Sequence, residues 1–190
     1  SNILDIKILQ MVRLLRNGEE VKLSKRTGKT ITLNELIDDV GVNASRYFFA
    51  SKSLDTQMDF DLDLAVKNSN DNPVYYIEYA NARISSILRK QDCDVVDTFG
   101  TIDNELAYTI VKKLIMFEDV VVSAAARELP HLIANYLYEL AGLFHSYYSS
   151  EKIVTEDSIY TKEHIALIKA IKIVMNNAAN LIGIILREEM

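Results

Sequence analysis

Two lysines and an arginine crowd one serine and close on a glycine in Val21-Lys22-Leu23-Ser24-Lys25-Arg26-Thr27-Gly28. Cations gathered on a short loop suit a polyphosphate, whose charge they offset where it is densest. A solvated basic loop is the plainer reading of the same run, and the flanks decide between the two. Arg16-Asn17-Gly18-Glu19 carries an Asn-Gly pair, which predicts a tight turn. Thr32-Leu33-Asn34-Glu35 reads as a capping box opening a helix, with Gly41 placed to end it. The basic loop therefore sits between a turn and a helix start, which hold it at both ends.

A second group could act on a different ligand. Tyr75, Tyr76, Tyr79 and Arg83 fall on adjacent turns of one predicted helix. Aromatic rings and guanidinium planes stack on unstacked bases, each stack contributing about 1–3 kcal/mol. Tyrosines at that spacing also serve as half-buried core. Asp59, Asp61 and Asp63 alternate with Phe60, Leu62 and Leu64. Spaced carboxylates invite a calcium reading, but the glycine and distal glutamate of an EF-hand are missing. The apolar partners are expected in the core, with the aspartates facing water or capping helices. His131, His145 and His164 lie in no metal motif and read as structural or exposed, so no metal site is expected. No acid–base pair and no nucleophile beside a base stands out.

The elements that must position these groups are mostly helical. Six glycines and two prolines in 190 residues are too few for a turn-rich β-sandwich. The single cysteine, Cys93, excludes an internal disulfide and a cysteine-based zinc cluster. The net charge of −6 argues against binding nucleic acid by phosphate neutralisation alone. It leaves room for reading a few splayed bases in a local pocket. No apolar run is long enough to cross a bilayer, no signal peptide is evident, and the cytoplasm is the simplest compartment.

A small strand pair is expected around the Asn-Gly turn, with Val21–Leu23 on its far side. A short helix over 33–40 follows, then a second capped by Asn43, with Tyr47, Phe48 and Phe49 offering a buried face. Asn72 is a good cap and Pro73 suits the first helical position of a helix whose apolar stripe is Val74, Ile77, Ile84, Ile87 and Leu88. Further helices are expected over 103–117, with a stripe of Leu106, Ile110, Leu114 and Ile115, then over 119–128, from Pro130 through 143 or beyond, and over 161–187. A loop is expected over 149–157. The domain boundary falls near Asn70.

The stretch from Asn17 to Gly28 resembles the KMSKS-type signature loop of class I aminoacyl-tRNA synthetases, and most of all the arginyl-tRNA synthetase version, which often reads KMSKR followed by Thr-Gly. Two further blocks resemble that family in the right order. One is Val40-Gly41-Val42-Asn43-Ala44-Ser45-Arg46-Tyr47-Phe48-Phe49. The other runs from Asp59 through Asn72-Pro73-Val74-Tyr75-Tyr76 to Tyr79-Ala80-Asn81-Ala82-Arg83-Ile84. The resemblance is dense from Val12 to about Arg89 and returns at the last residues, ending in Met190.

The resemblance implies a mainly α fold. Residues 1–70 would form a signature-loop and stem-contact module with a short strand pair. Residues 71–190 would form an all-α anticodon-binding bundle. It implies a parent that joins arginine to its tRNA with ATP and magnesium, and a fragment expected to be monomeric and to hold no cofactor tightly. Lys22 and Lys25 would stabilise charge on the ATP phosphates, with Arg26 beside them and Ser24 holding the loop. Leu23 stands where the family usually has methionine. Tyr76 and Ala80, one turn apart, would form the anticodon pocket, closed by Met190, with Tyr79, Asn81 and Arg83 as neighbours. The HIGH-type motif and nucleotide-binding fold that complete the active site are absent here, so the chain alone is expected not to activate arginine. ATP and arginine would be partners through that missing domain. The alternative from another class is a helical protein–protein interaction module that binds no RNA.

Overall fold

The computed structural model describes residues 4, 6–21, 31–91, 96, 100–156 and 158–190. The basic segment Lys22 to Gly28 and Cys93 lie outside the described residues.

Strand β1 (Val12–Arg16) turns back into β2 (Glu19–Glu20). The turn is the predicted Asn17-Gly18 pair, with φ of 53° and 74°. Both lie in the left-handed region that Asn and Gly tolerate best. Strand β3 (Met58–Asp61) pairs parallel with the other edge of β1, giving the order β2-β1-β3. The turn is where the sequence predicts it, but the far strand is Glu19–Glu20 rather than 21–23, of which Val21 lies past the strand and Lys22 and Leu23 lie outside the described residues, and the third strand is not expected from the sequence. Its alternation sends Met58 and Phe60 into the core and leaves Asp59 outside, where Arg13 grips it in a two-pronged ion pair at 2.7 Å. That pairing holds the Asp59 carboxyl below its usual range. Asp61 caps helix α3 (Leu62–Ala65) through the backbone N–H groups of Asp63 and Leu64, and Asp63 accepts from the Asn17 N–H. The acidic triplet is thus spent on structure.

Helix α1 (Leu33–Val40) opens on the predicted capping box. Glu35 N–H donates to Thr32 Oγ1 at 3.2 Å, and Thr32 N–H donates back to Glu35 Oε2 at 2.6 Å. Gly41, at φ 83°, ends α1 and opens α2 (Val42–Ala50). Asn43 does not cap α2, contrary to expectation, because its side chain is committed elsewhere. On α2, Tyr47 and Phe48 are buried while Phe49 is 40% exposed.

The bundle begins with α4 (Pro73–Lys90), capped by Asn72, whose Oδ1 accepts from Val74 N–H at 3.0 Å. Helices α5 (Glu105–Ile115), α6 (Phe117–Arg127), α7 (His131–Ser150) and α8 (Ser158–Leu181) follow. Helix α5 starts two residues later than the expected 103, capped by Asn104, and Ile115 is exposed rather than part of the apolar stripe. Helix α7 runs through Ser150, beyond the predicted start of the loop. It is the axis of the bundle. Ile133, Ala134, Leu137, Leu140, Ala141 and Phe144 recur at helical spacing on its buried side, and it touches α4, α5, α6 and α8. Ile77, Ile84, Ile110, Ile165, Ile168 and Ile171 meet it there with under 2% exposure. Removing one such side chain would cost about 2–5 kcal/mol.

The last helix stops earlier than predicted. Helix α8 ends at Leu181, and Gly183 adopts φ 76°. Ile184 N–H reaches back to the Ala179 carbonyl at 2.9 Å, as in a Schellman stop. Beyond it the chain runs as an irregular segment with Ile184 and Leu186 buried and Ile185 78% exposed. An apolar run such as Leu181–Leu186 fits a buried helix or an extended strap equally well.

Candidate nucleic-acid interface

Helix α4 turns about 100° per residue, so its tyrosines face different neighbours. Tyr75 and Tyr79 share one face and stack in parallel, with ring centroids 6.0 Å apart and 8° between planes. Arg83 continues that face. Its guanidinium lies 4.7 Å from the Tyr79 centroid and 4.5 Å from that of Tyr148 on α7, and it donates to the Tyr79 hydroxyl. Sandwiched in this way, the guanidinium keeps its plane fixed, which suits stacking and phosphate recognition alike.

Tyr76 points elsewhere. Its ring packs 5.3 Å from Tyr138 and 4.4 Å from His145, centroid to centroid. Gly142 on α7 lies beneath it, where an added Cβ would sit 3.5 Å from the Tyr76 hydroxyl. Burial and then the nearby Tyr138 push the Tyr76 hydroxyl above its usual range. His145 donates Nε2–H to the Tyr76 carbonyl at 3.0 Å, since a carbonyl can only accept. Burial lowers the pKa of this imidazole, a shift that the Tyr76 hydrogen bond only partly offsets.

Two clefts open beside this helix, and Met190, 53% exposed, contributes to both. The first, of about 370 Å³, lies between α2, the end of α3 and α4, with Tyr75, Asn68, Glu78 and Arg187 on its wall. The second, of about 510 Å³, is lined by Tyr79, Ala82, Arg83, Arg89, Lys90, Tyr148 and the final acidic pair Glu188 and Glu189. Small Ala82 leaves the floor open, the tyrosines supply apolar walls with polar tips, and methionine can adapt its shape. Arg89 pairs with Glu189 at 3.4 Å. Lys172 pairs with Glu188 at 2.7 Å and holds that carboxyl below its usual range.

The predicted site residues are therefore brought together only in part. Tyr79, Arg83 and Met190 converge on the larger cleft. Tyr76 and Ala80 line neither of the two clefts that Met190 lines. Ala80 has 0% exposure and belongs to the core, because it lies on the inward side of α4. Tyr75 lines the smaller cleft and Ala82, 7% exposed, lines the larger, and Met190 reaches both. Asn81 is also fully buried and offers no surface to a base. Its amide instead donates to the Arg187 carbonyl at 2.8 Å. Lys22, Ser24, Lys25 and Arg26 lie outside the described residues. Among the described residues no cluster of three or more His, Cys, Asp or Glu side chains is arranged to hold a metal ion. No described helix is long and apolar enough to cross a membrane.

Helices α4 to α8 form an all-α bundle whose first helix presents an aromatic and cationic face beside two open clefts. Residues 77–190 match the family described as the DALR anticodon binding domain, and the chain belongs to that family. Over its whole length it is 48% identical to a protein named arginine–tRNA ligase in Staphylococcus epidermidis and 47% identical to one of that name in Staphylococcus aureus. It spans 35% of the length of each. Among solved structures it resembles one described as an arginyl-tRNA synthetase from Campylobacter jejuni, at TM-score 0.82 and 29% identity over 96% of this chain and 40% of that one. It also resembles arginyl-tRNA synthetase of Thermus thermophilus, at TM-score 0.67 and 25% identity over 87% of this chain and 29% of that one.

Proposed function

We propose that this chain is the tRNA-gripping part of an arginine–tRNA ligase, in which residues 71–190 receive anticodon bases in the clefts beside Met190. The observation that carries the reading is the Tyr75–Tyr79 stack continued by Arg83, on a DALR-family helix next to those clefts. Tyr75, Tyr79, Ala82, Arg83 and Met190 are the proposed contacts. Tyr76 acts behind them by holding His145 and the α7 wall.

The parent would couple arginine to its tRNA with ATP, in the cytoplasm. Residues 1–70 would present Lys22, Lys25 and Arg26 to the ATP phosphates, with Ser24 shaping the loop, once the nucleotide-binding domain is present. Magnesium would balance phosphate charge in that parent. Among the described residues no cluster of His, Cys, Asp or Glu is arranged to hold it. The chain acts as a monomer in this reading and does not activate arginine by itself.

Titrating the chain with the anticodon stem-loop of an arginine tRNA, and with a stem-loop of altered anticodon, tests the reading. The cognate stem-loop should bind more tightly, and both should weaken as salt rises. Equal, salt-insensitive affinities, or none, would point instead to a protein–protein interaction module.

A further inference from the structure

The final segment of the chain is held by side-chain amides acting on its backbone. Asn43, on α2, uses its whole amide. Nδ2 donates to the Ile185 carbonyl at 2.8 Å and to Glu78 Oε1 at 2.7 Å, and Oδ1 accepts from the Ile185 N–H at 3.2 Å. Asn81, on α4, does the same from the core. Nδ2 donates to the Arg187 carbonyl at 2.8 Å, and Oδ1 accepts from Asn176 Nδ2 on α8 at 3.0 Å. Arg46, one turn beyond Asn43, packs so closely on Gly183 that an added Cβ there would lie 2.5 Å from the guanidinium. Two helices, α2 and α4, thus clasp a segment that has no helix or strand of its own, and α8 braces Asn81 through Asn176. Met190 comes three residues after the last amide clasp.

We propose that Asn43 and Asn81 are positioning residues that preset Met190 for the bases entering the clefts. The inference rests on the reading of those clefts given above and assigns the tail a structural cause. A tail that is already ordered pays less entropy when a base arrives. Aspartate cannot substitute at either position, since a carboxylate would set oxygen against a tail carbonyl and, at position 43, against Glu78. The two amides act on backbone groups of the tail, and the Arg187 side chain adds an ion pair at 3.4 Å with Glu78, the carboxylate that Asn43 also holds. Asn43 also ties that path to α2, which follows the helix entered from the basic loop.

The test uses the whole chain in four forms: wild type, Asn43→Ala, Asn43→Asp and Asn81→Ala, each with and without Met190. The first readout is the rate at which carboxypeptidase releases Met190, and the second is the Kd for the cognate anticodon stem-loop. Asn43 is half-exposed, so its variants report even if Asn81→Ala, which strands Asn176, fails to fold. Release should quicken in both Asn43 variants, and the Kd should rise roughly threefold to tenfold, the range expected for one or two lost hydrogen bonds. Without Met190, Asn43→Ala should cause little further loss, because a positioning residue acts only through the group it positions. The inference is overturned by unchanged release in the Asn43 variants, by quicker release with unchanged Kd, or by an undiminished effect of Asn43→Ala when Met190 is absent. In those cases Tyr79→Ala should still weaken binding, so the cleft reading stands. If wild type ignores the stem-loop altogether, the cleft reading and the inference that rests on it both fail.

Discussion

At Tyr79 a parallel tyrosine, a guanidinium and an imidazole meet one ring. Tyr75 stacks beside it, Arg83 covers it, and His145 lies 5.8 Å away at 21°. Truncating that ring removes a stacking surface and releases Arg83, so Tyr79→Ala should weaken stem-loop binding by about 1–3 kcal/mol. Thermal unfolding should change little, because the ring is only half-buried. Ala80 is the contrasting residue. Ala80→Leu would force a larger side chain into a filled core and cost about 1–3 kcal/mol of stability. A urea midpoint should register that loss even though Ala80 touches no ligand. The one-residue difference between these outcomes is not legible in the sequence alone. Tyr75, Tyr76 and Tyr79 are equivalent in type, and only the helix's packing against α7 shows which rings look outward.

Buried histidines set the acid limit of the fold. His164 on α8 has 0% exposure, with Nδ1 2.5 Å from the Tyr147 hydroxyl, and burial lowers its pKa despite Glu151 and Glu163 nearby. His145 is lowered for the same first reason. The unfolded chain therefore takes up protons before the folded one as pH falls through the ordinary histidine value of about 6.5, and stability drops from there. Glu163 adds a second loss at lower pH. Burial alone would raise its pKa, but hydrogen bonds from the Gly100, Thr101 and Ile102 N–H groups and the Thr101 hydroxyl outweigh burial and lower it. Its contribution disappears as pH falls from the ordinary carboxyl range toward the depressed value. Urea midpoints between about pH 7 and pH 5 should fall in wild type and fall less steeply in His164→Phe.

At the scale of elements, local signals were legible where one short stretch settles the outcome. The Asn17-Gly18 turn, the Thr32–Glu35 capping box and the Asn72-Pro73 helix start all follow from neighbouring residues. The end of α8 did not, since the apolar run across 181–186 hides the break that Gly183 makes. Local sequence favours Asn43 as a cap, whereas its partner Ile185 is 142 residues away. Gly183→Ala probes that element directly. A side chain at φ 76° is strained, and its Cβ would collide with Arg46. The substitution should cost about 1–2 kcal/mol and speed amide exchange over 184–188.

The whole molecule carries a net charge of −6, so the RNA binding proposed for it cannot rest on a diffuse basic surface. Arg83, Arg89 and Lys90 are the cations gathered at the larger cleft, and Glu188 and Glu189 sit opposite them. Few phosphates can be neutralised by so few cations. The log–log slope of stem-loop affinity against salt should therefore be shallow, about −2, at about −0.7 for each phosphate contacted on a single strand. A steep slope would mean that cations outside this face do the binding. The mainly α architecture was legible from composition and periodicity, and the family from the blocks around Lys22–Gly28 and Tyr75–Arg83. The clefts were not legible, because they form only where the last residues fold back across a helix that begins more than a hundred positions earlier.

Photocrosslinking tests the central claim most directly. A cognate stem-loop carrying a photoreactive base at each anticodon position in turn would be irradiated with the chain, and the joined peptides sequenced. Crosslinks should fall on the Tyr75–Lys90 face of α4, on Tyr148 and on the segment ending in Met190. Crosslinks confined to α5 and α6, with none at Tyr75, Tyr79 or Met190, would contradict it.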